Sequence, residues 1–159
     1  MTQGPPAQLD HAGIARRIPH SGTMCLLDRL EAWTPNEIHC TATSHTHADN
    51  PLRSASGLLC PCAIEYAAQA MALHGSLVAA PGTSPSPGYI ASVRNVRFAA
   101  LRLDTVSGAL QIRATRLAGG ANEVLYAFKV CDAAGTLLAE GRAAVVLDAP
   151  IPGVNPAPG

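Results

Sequence analysis

Residues 61–78, PCAIEYAAQAMALHGSLV, decide the fold of this chain. The segment is apolar on nearly every face of a helix, and helices of that kind normally lie at the centre of a domain. Pro61 suits the first turn of a helix, and Pro81 followed by Gly82 indicates that the helix ends near Ala80. We therefore predict one long, buried helix.

One carboxylate, Glu65, stands in the first turn of this apolar helix. Burying an ionised carboxylate is costly unless it is paired or hydrogen-bonded, so its presence calls for a reason. The structural alternative is a carboxylate that caps its own helix or pairs with an arginine such as Arg53. The functional interpretation is the stronger one and makes Glu65 the first candidate for a catalytic residue.

Alternating apolar and polar residues predict strands on both sides of the helix. Before it, residues 24–30 and 37–43 predict an antiparallel pair. After it, four further strands are predicted, at residues 89–98, 108–117, 124–131 and 137–147. This order indicates an α+β fold in which a curved antiparallel sheet wraps a single helix.

The length of 159 residues suits one domain with its own core. We expect residues 1–17, rich in proline, glycine and polar residues, to form a flexible N-terminal segment, in which 10–17 could add a short helical turn. The domain is expected to span residues 18–150. A disordered tail rich in proline and glycine is expected at 151–159.

Composition excludes several classes of function. A net charge of +0 and an aromatic content of 4% supply neither the basic surface nor the stacking platforms of a nucleic-acid-binding protein. The five cysteines are odd in number and no apolar N-terminal signal precedes them, which favours a reducing cytoplasm. No uninterrupted apolar run of about 18 residues is present, so we expect no membrane span.

Three segments resemble the beta-hydroxyacyl-ACP dehydratases of the hotdog fold. Residues 18–29, IPHSGTMCLLDR, resemble their opening strand, and residues 64–70, IEYAAQA, resemble their central helix, whose acidic residue and glutamine lie four apart. Residues 90–98, IASVRNVRF, resemble the strand that borders the acyl tunnel. The resemblance implies a hotdog fold and the dehydration of a 3-hydroxyacyl thioester carried on acyl carrier protein.

The histidine of that reaction is the open question. Typical members place it in a Gly-His-Phe-Pro motif fourteen residues before the helix acid, where this chain has Pro51. Residues 44–53 resemble a divergent subgroup associated with aryl polyene synthesis, in which His45 is the closer match, and His47 stays open. A histidine suits removal of the C2 proton because its ordinary pKa lies near neutral pH. Glu65 would then protonate the departing hydroxyl.

Other residues of the helix region could complete the site. Gln69 is expected to support it or bind substrate, and His20 could line the pocket, although a structural role is the stronger alternative for His20. The backbone N–H groups of Cys62 and Ala63 could polarise the thioester carbonyl. We expect no metal and no cofactor, apart from the phosphopantetheine arm that the carrier protein brings.

The resemblance also implies a partner subunit, since two hotdog subunits pair sheet edge to sheet edge as a homodimer or as a heterodimer with another hotdog dehydratase. Two alternatives to a complete dehydratase stay open. The chain could be a non-catalytic or half-site partner of a dehydratase that carries the missing motif, because fold alone does not decide function. It could also be an acyl thioesterase, in which the helix carboxylate directs water at the thioester carbonyl.

Overall fold

The computed structural model describes residues 4–20, 22–79, 88–120 and 122–147. Within them an antiparallel sheet wraps one long helix, which confirms the predicted α+β architecture. The elements in chain order are α1 (His11–Ala15), β1 (Arg29–Thr34), β2 (Glu37–Ala42), α2 (Ala63–Val78), β3 (Gly88–Phe98), β4 (Leu110–Gly119), β5 (Glu123–Cys131) and β6 (Leu137–Leu147).

The central helix α2 continues from a 3-10 turn at Cys60–Cys62, which contains the proline that predicted the start of the helix. The helix is not buried on every side. Ile64, Ala68, Ala72 and Gly75 recur at helical spacing and are partly or fully exposed, so they form an open stripe along one face. None of the described helices is long and apolar enough to cross a membrane.

Five of the predicted strands are confirmed, and the first is misplaced. Residues 24–30 were expected to be a strand, whereas β1 begins only at Arg29. The Leu26 N–H donates to Gln69 Oε1 at 2.8 Å, and Gln69 Nε2 donates to the Met24 carbonyl at 2.7 Å. The apolar run is buried because it packs on α2, and a side chain of the helix takes the place of a strand neighbour.

The strand order is β1-β2-β4-β5-β6-β3, and every neighbouring pair is antiparallel. The inner face of the sheet packs on α2 through buried residues such as Ile112, Tyr126 and Phe128. The outer face is turned away from the helix. Strand β3 forms one edge of the sheet and is largely exposed along its length, as an edge that receives a partner strand would be.

Part of the N-terminal segment that was expected to be flexible is packed on the domain. The backbones of Leu9 and Leu30 are hydrogen-bonded to each other, and the Ile14 side chain is fully buried. Asp10 caps α1 by accepting from the Gly13 N–H at 2.8 Å, which confirms the short helical turn. The expected tail at 151–159 lies outside the described residues.

Candidate active site

Glu65 in the first turn of α2 lies against His20, which belongs to the segment before β1. Glu65 Oε1 and His20 Nε2 are 3.2 Å apart, and the two side chains are 35% and 26% exposed. Both are therefore accessible from outside the chain. His20 Nδ1 is buried and has no hydrogen-bond partner among the described residues. Arg53, the alternative partner of Glu65, instead approaches Asp104 at 3.6 Å.

Gln69, one turn after Glu65, holds the segment that carries His20. Its side chain is fully buried, and its two amide ends bond the backbone of Met24 and Leu26. Because a buried amide of this kind is costly to leave unpaired, the segment is fixed to the same face of the helix as Glu65. Both amide ends of Gln69 are thus engaged with protein atoms, and a role in the site or in binding substrate stays a prediction.

A buried hydroxyl network lies behind this pair. Ser44 Oγ donates to the Leu26 carbonyl at 2.7 Å and has one proton, so it accepts from the Tyr66 hydroxyl, also at 2.7 Å. Asn50 Nδ2 donates to the Tyr66 hydroxyl at 3.2 Å. Burial raises the pKa of Tyr66, which keeps the hydroxyl protonated. The network joins the loop after β2 to the helix and to the segment before β1, and no local sequence pattern indicated it.

His45 lies in this loop and is fully buried. Its Nε2 is 3.0 Å from the Val106 carbonyl, so Nε2 carries the proton and donates. Burial lowers the pKa of His45, which keeps the ring neutral. His47 itself is exposed. The described contacts of Glu65 include neither ring, so a base role for either stays a prediction.

The predicted oxyanion site at the start of α2 is not supported. The Cys62 N–H donates to the Leu59 carbonyl at 3.0 Å, and the Ala63 N–H donates to the carbonyls of Cys60 and Pro61. These amides would be free if the α-helix began directly at this point. The 3-10 turn that precedes α2 uses both of them instead.

The cysteines at this turn are hydrogen-bonded thiols. Cys60 Sγ lies 3.3 Å from the Leu138 carbonyl and Cys62 Sγ lies 4.0 Å from the Leu52 carbonyl. Burial raises the pKa of both thiols, which disfavours the reactive thiolate. In the part of the chain that the structure describes, no three histidine, cysteine or acidic side chains are grouped as metal ligands. Glu65 and His20 are the contacting acidic and basic side chains of this region, and we consider them as candidates for its chemistry.

His74, near the end of α2, is a structural histidine. It is fully buried, its Nδ1 accepts from the Tyr126 hydroxyl at 2.7 Å, and its Nε2 donates to the Thr34 carbonyl at 2.8 Å. Burial lowers the pKa of His74 and raises that of Tyr126 to about 12. The ring is a neutral link between the helix and two strands of the sheet.

A sheet curved around one helix, with a carboxylate in the first turn of that helix, defines a protein of the hotdog class. The model of the ApeP-like family, described as ApeP dehydratase, matches residues 12–150. The chain therefore belongs to the ApeP-like dehydratase family, which confirms the resemblance to a divergent subgroup of dehydratases. No curated protein matches the chain.

Solved structures share the fold at low sequence identity. The dehydratase heterocomplex ApeI:P from Xenorhabdus doucetiae is 24% identical, with 87% of this chain and 91% of that chain covered and a TM-score of 0.75. Thioesterase HI1161 from Haemophilus influenzae is 16% identical, with coverages of 87% and 90% and a TM-score of 0.62. The PaaI protein of E. coli is 12% identical, with coverages of 74% and 80% and a TM-score of 0.54.

Proposed function

We propose that the chain dehydrates a 3-hydroxyacyl thioester to the 2-enoyl thioester, with His20 and Glu65 as its acid–base pair. The observation that carries this proposal is the contact of 3.2 Å between the two side chains, both of which are partly exposed. Membership of a dehydratase family supports the class of reaction. The substrate would arrive on acyl carrier protein through its phosphopantetheine arm, in fatty acid or aryl polyene type synthesis.

The proton balance of dehydration suits a contacting pair. Substrate enters between the two side chains, and His20 Nε2 then takes a proton from C2. The electrons of that C–H bond form the C2–C3 double bond, and the C3–O bond breaks. Glu65 gives its proton to the departing hydroxyl, which leaves as water. The reaction leaves an imidazolium and a carboxylate, and once the products have left, one proton transfer across the re-formed contact restores the starting state. The pair therefore needs no proton from solvent to turn over.

The surroundings of the pair favour the carboxylate that forms during this cycle and hold the segment that carries the histidine. Glu65 lies in the first turn of α2, where the positive end of the helix stabilises a carboxylate. The segment that carries His20 is fixed by Gln69, so its backbone needs little reorganisation when substrate enters.

A half-site function is the second candidate, and two observations favour it. Pro51 stands where typical relatives carry the catalytic histidine. The edge β3 and the open stripe along α2, which includes Ala68 and Ala72, are both exposed and are available to a second hotdog subunit. In that arrangement the chain forms a homodimer or a heterodimer, and Glu65 meets a histidine of the partner.

The two candidates differ in what the chain does alone. The test compares the chain with and without a dehydratase that carries Gly-His-Phe-Pro, using a 3-hydroxyacyl carrier substrate and a matching N-acetylcysteamine thioester. Dehydration by the chain alone, lost in Glu65→Gln and His20→Asn, supports the in-chain pair. Dehydration only in the mixture, lost in Glu65→Gln and kept in His20→Asn, supports the half-site.

The same experiment tests the remaining alternatives. Release of free thiol in place of enoyl product would identify an acyl thioesterase. His47→Asn changes an exposed ring of the loop after β2 and should leave the rate unchanged. Loss of activity in His47→Asn with full activity in His20→Asn would move the base to the loop and contradict the proposed pair.

A further inference from the structure

Positive charge is concentrated on the outer face of the sheet. Strands β3 to β6 place five cationic side chains there, which we call the outer cationic face: Arg94, Arg97, Arg113, Lys129 and Arg142. The carboxylates of these four strands are Glu123 and Glu140, and Glu140 pairs with Arg97 at 3.7 Å. The whole chain has 11 basic and 11 acidic residues, so this face is positive within a neutral protein.

The charges on this face are arranged at a cost to the free protein. Arg94 stands directly opposite Arg142 on the neighbouring strand, and Arg113 stands directly opposite Lys129. Like charges that face each other across two strands destabilise a sheet. Two such pairs on one exposed face indicate a binding role, because an anionic ligand would relieve the repulsion between the like charges.

The same face is grooved. Two cavities of ≈ 390 and ≈ 410 Å³ open on it, and they share Asn95 and Arg142 in their linings. Their linings combine cationic side chains with small residues, Ser92, Thr115, Ala127, Gly141 and Ala144. The face therefore has depressions between its long cationic side chains that can receive projecting side chains.

A bulge in strand β3 separates the two cavities. Asn95 has a φ of +54°, and the strand register shifts between Arg94 and Arg97, so that Asn95 and Val96 together oppose Gly141. An extra residue of this kind bends the strand and redirects its side chains, and such bulges are frequent next to functional sites. Here the bend aims Asn95 into the middle of the outer cationic face.

We propose that the outer cationic face is a docking surface for an acidic segment of a partner protein. Arg94, Arg142, Lys129 and Arg113 lie on four successive strands, β3, β6, β5 and β4. They form a diagonal stripe about 16 Å long, because three strand spacings of about 4.8 Å combine with a stagger of two residues, about 7 Å, between Arg142 and Lys129. That length matches two to three turns of a helix, roughly 11–16 Å. The stripe lies across the sheet from α2 and Glu65, so this docking is independent of the proposed acid–base pair.

A protein segment fits this face better than a nucleic acid or a membrane. Glu123 and Glu140 interrupt the cations, and a continuous run of phosphates would meet both carboxylates. A segment with spaced acidic side chains can avoid them. The cavities also favour projecting side chains over a flat lipid surface, since a flat surface leaves depressions unfilled.

The test measures binding of a labelled glutamate-rich helical peptide of about 15 residues and its glutamine counterpart, at about 20 and about 200 mM salt. The wild-type protein should bind the glutamate peptide and not the glutamine peptide, and this binding should be weaker at high salt. The variant Arg113→Gln/Arg142→Gln should lose at least about tenfold in affinity, and the matched control Arg16→Gln/Arg29→Gln, two exposed arginines off the face, less than about twofold.

Equal losses in both double variants would overturn the proposal, as would tighter binding to single-stranded DNA or phosphatidylserine vesicles. A second measurement needs no ligand. Arg142→Gln removes one like-charge pair and should raise the melting temperature by about 1–3 °C at low salt, with a smaller shift at high salt. An unchanged or lower melting temperature at low salt would contradict the repulsion on which the proposal rests.

Discussion

Two regions that flank the sheet carry histidines near the helix, and they use them differently. In the segment before β1, His20 is partly exposed and faces the carboxylate of Glu65. In the loop after β2, His45 is fully buried, kept neutral, and bonded to the Val106 carbonyl. In both rings Nδ1 has no hydrogen-bond partner among the described residues, so the two histidines differ in their exposure and in the group that their Nε2 contacts, a carboxylate for His20 and a backbone carbonyl for His45.

The largest expected effect comes from His20→Asn. Removing a positioned acid–base group typically costs about 10²–10⁴-fold in rate, so kcat should fall by that factor in the preparation where the in-chain pair acts. The free energy of unfolding should change by less than about 0.5 kcal/mol, because the ring is partly exposed and its Nδ1 has no partner among the described residues. Single-turnover rates and urea unfolding check both values. Wild-type kcat in the folded variant would contradict the role of His20.

Gln69→Leu should affect both stability and rate. It leaves the buried Leu26 N–H and the partly buried Met24 carbonyl without their partner, which costs about 2–4 kcal/mol. It also frees the segment that positions His20, so kcat should fall with little change in the KM for a short thioester. A variant that loses stability alone, with kcat intact, would make Gln69 a purely structural residue.

His45→Leu provides the contrast to His20→Asn. The loss of its hydrogen bond to Val106 should lower the free energy of unfolding by about 1–3 kcal/mol. The rate per folded molecule should be kept, because the described contacts of Glu65 do not include this ring. If kcat instead falls as far as in His20→Asn, the loop after β2 holds the base and the comparison is reversed.

Acid should weaken the fold through the buried histidines, whose pKa values burial lowers in the folded chain. Below the ordinary histidine pKa of about 6.5, the unfolded chain binds protons that the folded chain does not. The free energy of unfolding should therefore fall below about pH 6.5, by at most about 1.4 kcal/mol per pH unit for each ring, and stay flat above it. Urea midpoints from roughly pH 8 to pH 5 should show a smaller slope in His74→Gln. An unchanged slope would contradict this account.

The sequence predicted the elements that depend on periodicity. Helix α2 and strands β2 to β6 follow local patterns of apolar residues, which short windows of sequence reveal. The prediction of a strand at 24–30 was wrong because a short apolar stretch indicates burial but does not indicate which groups form hydrogen bonds with its backbone. Only the fold reveals that Gln69, more than forty residues away, takes that place.

The site was predictable in part, for the same reason. Glu65 stands out locally as a carboxylate in an apolar helix, and it lies in the candidate site. Its contact with His20 joins residues far apart in sequence, so local patterns could suggest only that His20 lines a pocket. The amides of Cys62 and Ala63 were expected to be free, but they are hydrogen-bonded within the 3-10 turn that precedes the helix. Whether a helix begins with such a turn depends on a shift of one hydrogen bond, which the local sequence does not reveal.

A double-mutant cycle tests whether His20 and Glu65 act as one acid–base unit. The rate of dehydration is measured for His20→Asn, Glu65→Gln and the variant with both changes, in the preparation that dehydrates, either the chain alone or its complex. Groups that act as one unit are strongly non-additive, so the account predicts that the double variant is about as slow as the slower single variant. A double variant whose loss equals the product of the two single losses would show independent roles and contradict the pair.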